Sequence, residues 1–425
     1  MVDIRPFRAI RYTEKAGDLK NLITRPYDKI DREMQKKYYE TSAYNYCHLT
    51  LPLENSKYET AKHRIQEWLS EDVLFKDEEP AVFVYRQEFK LQEMNCSRTG
   101  LIAALRLYSY DEKAVFPHEV TYEEPKADRL KMLRAVKKDL EPVFLIYSDP
   151  ENVTVDFYAE ITRTKPAIEI KDSFDVKHTV WRVTEKQKLE LMRKTMSDKR
   201  LVITDGHHRY ESAVAYRDER RKEEKWTHDS AFNFHMCYMV PVQDAGLVVL
   251  PTHRLLTESK LSNDALKALA QFFTVTEIVP TVEALESFLR SNVEKHAFCI
   301  YSGSKSYGLL LRNEKIALDL INTCCPKEMC LLDVVVLRDI IFKHVMKIGE
   351  LKMNEHIVYT NSTRLALEKV DAGKAKLAFL VNPIMPETVW RIAQKNWRLP
   401  EKSTDFYPKP VSGLMMMDVS SGEKL

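Results

Sequence analysis

The sequence predicts a mixed α/β protein, and three features support that prediction. Along the whole of its 425 residues, segments with apolar positions at helical spacing alternate with short β-rich apolar runs. No period of roughly 20–50 residues recurs, which sets aside solenoids and propellers. Ten glycines and 18 prolines are few for this length, so a collagenous or linker-dominated chain is excluded. With 44% hydrophobic residues the chain can bury more than one core, and about two to three domains are expected.

The elements follow in order. Residues 57–69, KYETAKHRIQEWL, carry apolar positions at helical spacing. The runs 81–90 and 99–110, rich in β-branched and aromatic residues, form a hairpin around a polar turn near Asn95. After Tyr110 come a polar loop, a helix with Pro125 in its first turn, and a strand from Val143 to Tyr147. Residues 185–199 look helical. A short buried strand, Leu201 to Thr204, then runs through Asp205 and Gly206 directly into a helix over 207–225, whose charges mostly line a solvated face. Strands are expected at 232–242 and 247–256, a helix from 261, a buried helix over 329–342, and from 385 a helix, a proline-punctuated loop and a last apolar strand. The expected domains are 1–110, 111–256 with an insertion near 150–198, and 257–425.

Sixty-five basic against 63 acidic side chains leave a net charge of +2, so no bulk field favours nucleic acid or an anionic membrane. The N-terminal residues place arginines and acids where a signal peptide is expected to have an uninterrupted apolar stretch, and no window approaches about 18 uncharged apolar residues. A cytoplasmic protein without membrane or nucleic-acid partners is expected. Seven scattered cysteines then read as free thiols. The group Cys324, Cys325 and Cys330 matches no zinc spacing and reads as structural or incidental.

The sharpest chemical signal is the strand, turn and helix at 201–211. A strand that feeds a helix through a glycine leaves unpaired amides at the positive end of the helix dipole, where anions bind. His207, His208 and Arg209 add cation-capable side chains to that end, and Arg209 offers a bidentate fork. Capping and turn formation alone would explain Asp205 and Gly206, but not three such residues in the first turn.

Other candidates are weaker and each has an ordinary surface or structural alternative. His118 and Glu119 follow Pro117 in a loop, a place for a general base. Lys126 and Arg129 share one face of the next helix and could converge on a polyanion. Arg25, Tyr27 and Asp28 form a polar turn, and His253 with Arg254 repeats the His–Arg pairing. Lys402, Ser403, Thr404 and Lys409 lie in one loop able to close over a phosphate-bearing ligand. The common glycine-rich nucleotide loops, the zinc-protease motif and the nucleophile elbow are absent.

The motifs R-P-Y-D, F-P-H-E-V-T with P-K-A-D-R-L, I-T-D-G-H-H-R-Y-E, L-P-T-H-R and K-S-T-D-F-Y-P-K with S-G-L together resemble the DUF1015 family, over about residues 3–418. The central part is similar to the ParB/sulfiredoxin-like fold, and within it to free serine kinases. The fold implied is a ParB/sulfiredoxin-like α/β core with N- and C-terminal α/β extensions. The resemblance implies that Asp205, Gly206, His207, His208 and Arg209 bind nucleotide phosphates and that Glu119 deprotonates a hydroxyl, with His118 beside it. The turn has no cysteine, unlike sulfiredoxins, and no DNA-reading helix pair is present, unlike ParB proteins.

The expectation is therefore a phosphotransferase. ATP, ADP or another polyphosphate with Mg²⁺ would be the donor, and the hydroxyl of a small metabolite, with free serine favoured, the acceptor. A non-catalytic nucleotide-binding regulator and a phosphoserine phosphatase using the same site are the alternatives.

Overall fold

The computed structural model describes residues 1–259, 261–321, 326–349 and 356–425. The fold is mixed α/β, as the alternation of periods required. It divides into two compact units: residues 1–248 with 393–397 and 408–425, and residues 249–392 with 398–407.

The first unit is organised by a nine-stranded sheet. Its strands are β1 (Ile4–Arg5), β2 (Val82–Leu91), β3 (Met94–Arg106), β4 (Val115–Pro117), β5 (Val143–Tyr147), β6 (Ile168–Lys171), β7 (Lys177–Val183), β8 (Leu201–Asp205) and β9 (Phe234–Pro241). They lie in the order β4-β8-β5-β9-β3-β2-β7-β6, with β1 also paired to β3. Every residue of β5, β8 and β9 is buried, which explains why these strands read as unbroken apolar runs rather than alternating ones. Two helices, α1 (Glu123–Val136) and α2 (His207–Glu223), pack against each other. Pro125 stands in the first turn of α1, where its missing N–H costs no internal bond.

The boundary expected at residue 110 does not exist. The hairpin β2–β3 sits in the middle of the sheet: Phe234 to Met239 of β9 pair with Arg106 to Leu101 of β3, and Lys177 to Val183 of β7 with Glu88 to Val82 of β2. The segment 150–198 is likewise no separate insertion, since β6 and β7 extend this same sheet. The division falls at residues 248 and 249 rather than 256. The apolar run 247–256 is two strands, Val248–Leu250 and His253–Leu256, because Pro251 lacks the amide a continuous strand would need. The last apolar strand, Met416–Asp418, lies between Ala9–Tyr12 and Lys138–Asp139 in a separate four-stranded sheet.

The second unit holds a six-stranded antiparallel sheet, ordered Phe273–Ile278, Ser306–Leu311, Ala297–Tyr301, Leu377–Val381, His253–Leu256, Ile357–Thr360. Its core gathers Leu255, Leu285, Leu289, Cys299 and Leu380. The stretch expected as one buried helix over 329–342 is helical in three pieces, and the last, Leu337–Val345, is wound more widely as a π-helix. Cys330 is buried; Cys324 and Cys325 lie outside the described residues.

One charged side chain is enclosed in the centre of the first unit. Arg98 is 0% exposed. Its guanidinium lies 4.6 Å from the Phe144 ring centroid and 5.8 Å from that of Tyr238 and donates to Gln87 Oε1 and to the Pro408 carbonyl. Gln87 Nε2 donates to the Lys409 carbonyl at 3.1 Å. Together these groups anchor the segment at 408–409. Arg98→Leu would leave two buried acceptors unmet, and its unfolding free energy in urea should fall by about 2–4 kcal/mol. A change below about 0.5 kcal/mol would mean that these bonds do not hold the segment.

Candidate functional site

Two parallel strands bring the separated motifs together. Leu201, Val202 and Ile203 of β8 pair with Val115, Phe116 and Pro117 of β4. The residues that follow each strand, His118 and Glu119 after one, Gly206 to Arg209 after the other, therefore emerge at the same edge, with Asp205 the last residue of β8. The His118 amide donates to His207 Nε2 at 3.3 Å across a sequence separation of 89, and the His118 ring bonds through Nδ1 to the Ile203 carbonyl at 2.5 Å. That carbonyl fixes Nδ1 as a donor and turns Nε2 toward Glu119 Oε1, 3.6 Å away.

Gly206 turns the chain from β8 into α2 with φ +90°, a conformation open to glycine. A Cβ there would sit 3.0–3.1 Å from the Arg209 guanidinium, so any side chain would press on it. No side chain caps α2. The first internal bond runs from the Tyr210 amide to the Gly206 carbonyl at 2.9 Å. The amides of His207, His208 and Arg209 meet no acceptor among the described residues, which leaves the positive end of a 17-residue helix open.

The side chains at this end are largely spent on one another. Asp205 accepts Arg209 Nη2 at 2.6 Å and pairs with Lys409 Nζ at 2.8 Å. Arg209 Nη1 donates to the Pro142 carbonyl at 2.6 Å. Burial alone would raise the Asp205 carboxyl, but Lys409 and Arg209 hold it well below the usual carboxylate range. Burial opposes the Arg209 charge, and Glu141, Asp205 and Asp28 outweigh it. Glu141 also accepts the Tyr27 amide at 3.0 Å and the Ser412 hydroxyl at 2.6 Å, tying the R-P-Y-D turn and the S-G-L segment to the site.

The expected cluster of three cations is therefore not what this helix end carries. Burial, with His118 beside it, lowers His207 to about 3, and burial lowers His208 as well, so both rings are neutral near pH 7. His208 Nε2 accepts the Tyr122 amide at 3.0 Å. Arg209, whose fork was expected to grip phosphate, spends both terminal nitrogens on protein oxygens. Glu119 keeps 27% of its side chain exposed. Burial would raise its carboxyl, but hydrogen bonding and charge from His118, with His207 and Lys409 nearby, bring it down to about 2.

Lys126 and Arg129 do not converge on a common point. Lys126 Nζ contacts Glu123 at 2.5 Å and Glu211 at 3.3 Å. Arg129 is buried, bound to Asp128 and to the Thr50 carbonyl, with its guanidinium 4.0 Å from the Tyr27 ring centroid. Arg25 lies over the Phe174 ring. His253, Arg254, Lys402, Ser403 and Thr404 belong to the second unit, whereas Lys409 belongs to the first, so the loop expected to act as one piece is divided. There, Arg254 Nη2 donates to the Lys402 carbonyl at 3.2 Å, Ser403 Oγ to Pro400, and buried His253 accepts the Val381 amide at 3.3 Å. Glu141, Gln87 and Arg98 carried no local signal, because what makes them matter is contact with segments more than a hundred residues away.

The family model for DUF1015, a protein of unknown function, matches residues 4–335. The chain belongs to the DUF1015 family. No curated protein matches this DUF1015 chain. Among solved structures it is similar to a conserved hypothetical protein from Pyrococcus furiosus, at 14% identity and TM-score 0.33, with 76% of this chain and 95% of that one covered. It is also similar to a free serine kinase variant in complex with ADP, at 13% identity and TM-score 0.36, with 76% and 92% covered. A third is C-terminally truncated SbnI from Staphylococcus aureus, at 8% identity and TM-score 0.35, with 76% and 90% covered. Among the described residues of this DUF1015 chain no helix is long and apolar enough to cross a membrane.

The Mg²⁺ that the motif resemblance implied has no cage here. Among the described residues no three His, Cys, Asp or Glu side chains cluster as ligands. Both Asp205 oxygens are taken by Arg209 and Lys409. These residues do not fit a protein-held magnesium site.

The neutral His207 has a consequence for stability. In the unfolded chain its ring takes up a proton near 6.5, while in the fold it does so only near 3. Between those values the unfolded state holds the extra proton, so stability is lost as pH falls through that window. His207→Gln keeps an acceptor for the His118 amide but cannot titrate. Urea unfolding at pH 7 and pH 5 should show a smaller acid loss in the variant than in the parent. Equal losses would mean that the ring is not held neutral.

Proposed function

We propose that this chain is a phosphotransferase that takes a nucleotide or other polyphosphate at the start of α2 and passes a phosphoryl group to the hydroxyl of a small metabolite. The observation that carries the reading is the open helix end beside an ionised, part-exposed Glu119. The amides of His207, His208 and Arg209 would donate to phosphate oxygens, and because the two histidines are neutral the backbone donors and the helix dipole do most of the holding. Asp205 and Arg209 act as a brace: their ion pair and the Pro142 carbonyl fix the Gly206 turn. Lys409 brings positive charge to the same turn. Nucleotide as donor and free serine as acceptor come from the motif resemblance.

In the transfer, the acceptor oxygen forms its bond to phosphorus while the bond from phosphorus to the leaving phosphate oxygen breaks. The hydroxyl proton passes to Glu119, which His118 Nε2 orients. A carboxylate held near 2 is a weak base. That suits a loose transition state, in which the hydroxyl proton departs late and positioning outweighs basicity.

The same low value, with Arg209 engaged in the protein, supports a second reading, a nucleotide-responsive regulator that binds without turnover. Incubation with serine and ATP, ADP or pyrophosphate separates the two. The enzyme reading expects phosphoserine from at least one donor, and at least about a hundredfold less from Glu119→Gln, with thermal stabilisation by nucleotide retained in that variant. Stabilisation without product from any donor leaves the regulator. Free phosphate released from added phosphoserine, with no forward transfer, would instead indicate a phosphatase. Absence of both product and stabilisation ends all three readings.

Gly206→Ala tests the helix end itself. The added methyl meets the Arg209 guanidinium in a left-handed conformation, and the midpoint of nucleotide-induced stabilisation should move up at least about tenfold in concentration. An unmoved midpoint would place the phosphates elsewhere.

A further inference from the structure

A cavity of about 460 Å³ opens in the first unit, between the turn at Ile23 and Arg25, the helix Arg32–Thr41 and the loop at Asp172 and Phe174. Its size falls within the range of small-molecule sites. It is separate from the helix end at Gly206, with which it shares no lining residue.

The wall has two chemical halves. Ile23, Met34, Val411 and Phe174 supply apolar surface, and Phe174 is 45% exposed, an unusual state for a free-standing aromatic ring. The Arg25 guanidinium lies 4.9 Å from the Phe174 ring centroid, so a flat cation and a flat ring stand together at the cavity edge.

Formal charges on the wall balance, but their engagement does not. Asp31 accepts the Met34 amide at 2.8 Å as the helix cap. Asp172 accepts the Phe174 and Val176 amides at 2.8 and 3.0 Å and faces His178 Nε2 at 3.1 Å. Lys20 pairs with Asp18 at 2.9 Å. Glu33, exposed in the first turn of its helix, sits where the helix dipole favours a carboxylate. Arg25 and Lys37 pair with no carboxylate among the described residues. Donors on the wall are thus in surplus, next to an exposed aromatic face.

We infer that this cavity binds a flat organic anion. Its carboxylate or phosphate is taken by Arg25 and Lys37, and its body lies against Phe174, Ile23 and Met34. Arg25 supplies the planar fork that matches either headgroup.

The matched probes 2-naphthoate and 2-naphthamide differ only in charge and in the headgroup. Calorimetric titration of the full chain should show 2-naphthoate binding one per chain and at least about tenfold more tightly than 2-naphthamide. Arg25→Gln should abolish that preference. Phe174→Ala should weaken both probes by a similar factor. Lys37→Gln, on an exposed helix face, repeats the charge test without risk to the core and should reduce the preference. The inference is overturned by no binding of 2-naphthoate, by equal binding of the two probes, or by a preference that Arg25→Gln and Lys37→Gln leave intact.

Discussion

The parallel pairing of β4 with β8 is the constraint on which the arrangement of chemical groups depends. Three residues of each strand are in register, and each strand ends on the residues that matter. Parallel strands deliver their C-terminal ends to one edge, so the P-H-E loop and the D-G-H-H-R turn meet although most of the central sheet is built from sequence lying between or around them. An antiparallel pairing of the same strands would put those ends at opposite edges. Strand β8 is antiparallel to its other neighbour, β5, and carries a register shift between Ile203 and Asp205. That irregularity lies in the last residues before the Gly206 turn, where the strand gives way to the helix.

Burial then dictates the electrostatics. Asp205 ends a fully buried strand, and an isolated carboxylate there would be costly, so it is ionised only because Arg209 and Lys409 compensate it. Arg209 stands four residues on, one turn into α2 and on the same face, which is why a strand-turn-helix can neutralise its own aspartate. Lys409 has to come from far along the chain, and Arg98 with Gln87 hold the backbone that presents it. The side chains balance one another, and the unspent donors at the helix start are backbone amides.

What was legible in the sequence was local. The strand, glycine turn and helix at 201–223, the proline-opened helix at 123–136 and the hairpin of β2 and β3 follow from spacing and turn residues within a short window, and the structure has all three. The placement of that hairpin in the centre of the sheet was not legible, because it depends on register with β7 and β9, some 90 to 140 residues downstream. For the same reason β6 and β7 were hidden in an apparent insertion. The charge state of the turn was misjudged differently: His207 and His208 read as cations by residue type, and desolvation, which a linear sequence does not display, makes them neutral. Meeting of the two motifs was expected from resemblance alone, and the β4–β8 register supplies its physical cause.

The return of residues 408–425 to the first unit has a bearing on how the protein is made. The strand Met416–Asp418 closes against Ala9–Tyr12, laid down some four hundred residues earlier, and Lys409 completes the ion cluster on Asp205. While the ribosome is still extending the second unit, the first has its nine strands but lacks this final clasp. A half-synthesised chain therefore carries a buried aspartate that Arg209 alone compensates, and the turn at Gly206 gains its second counter-charge only after translation has passed position 409.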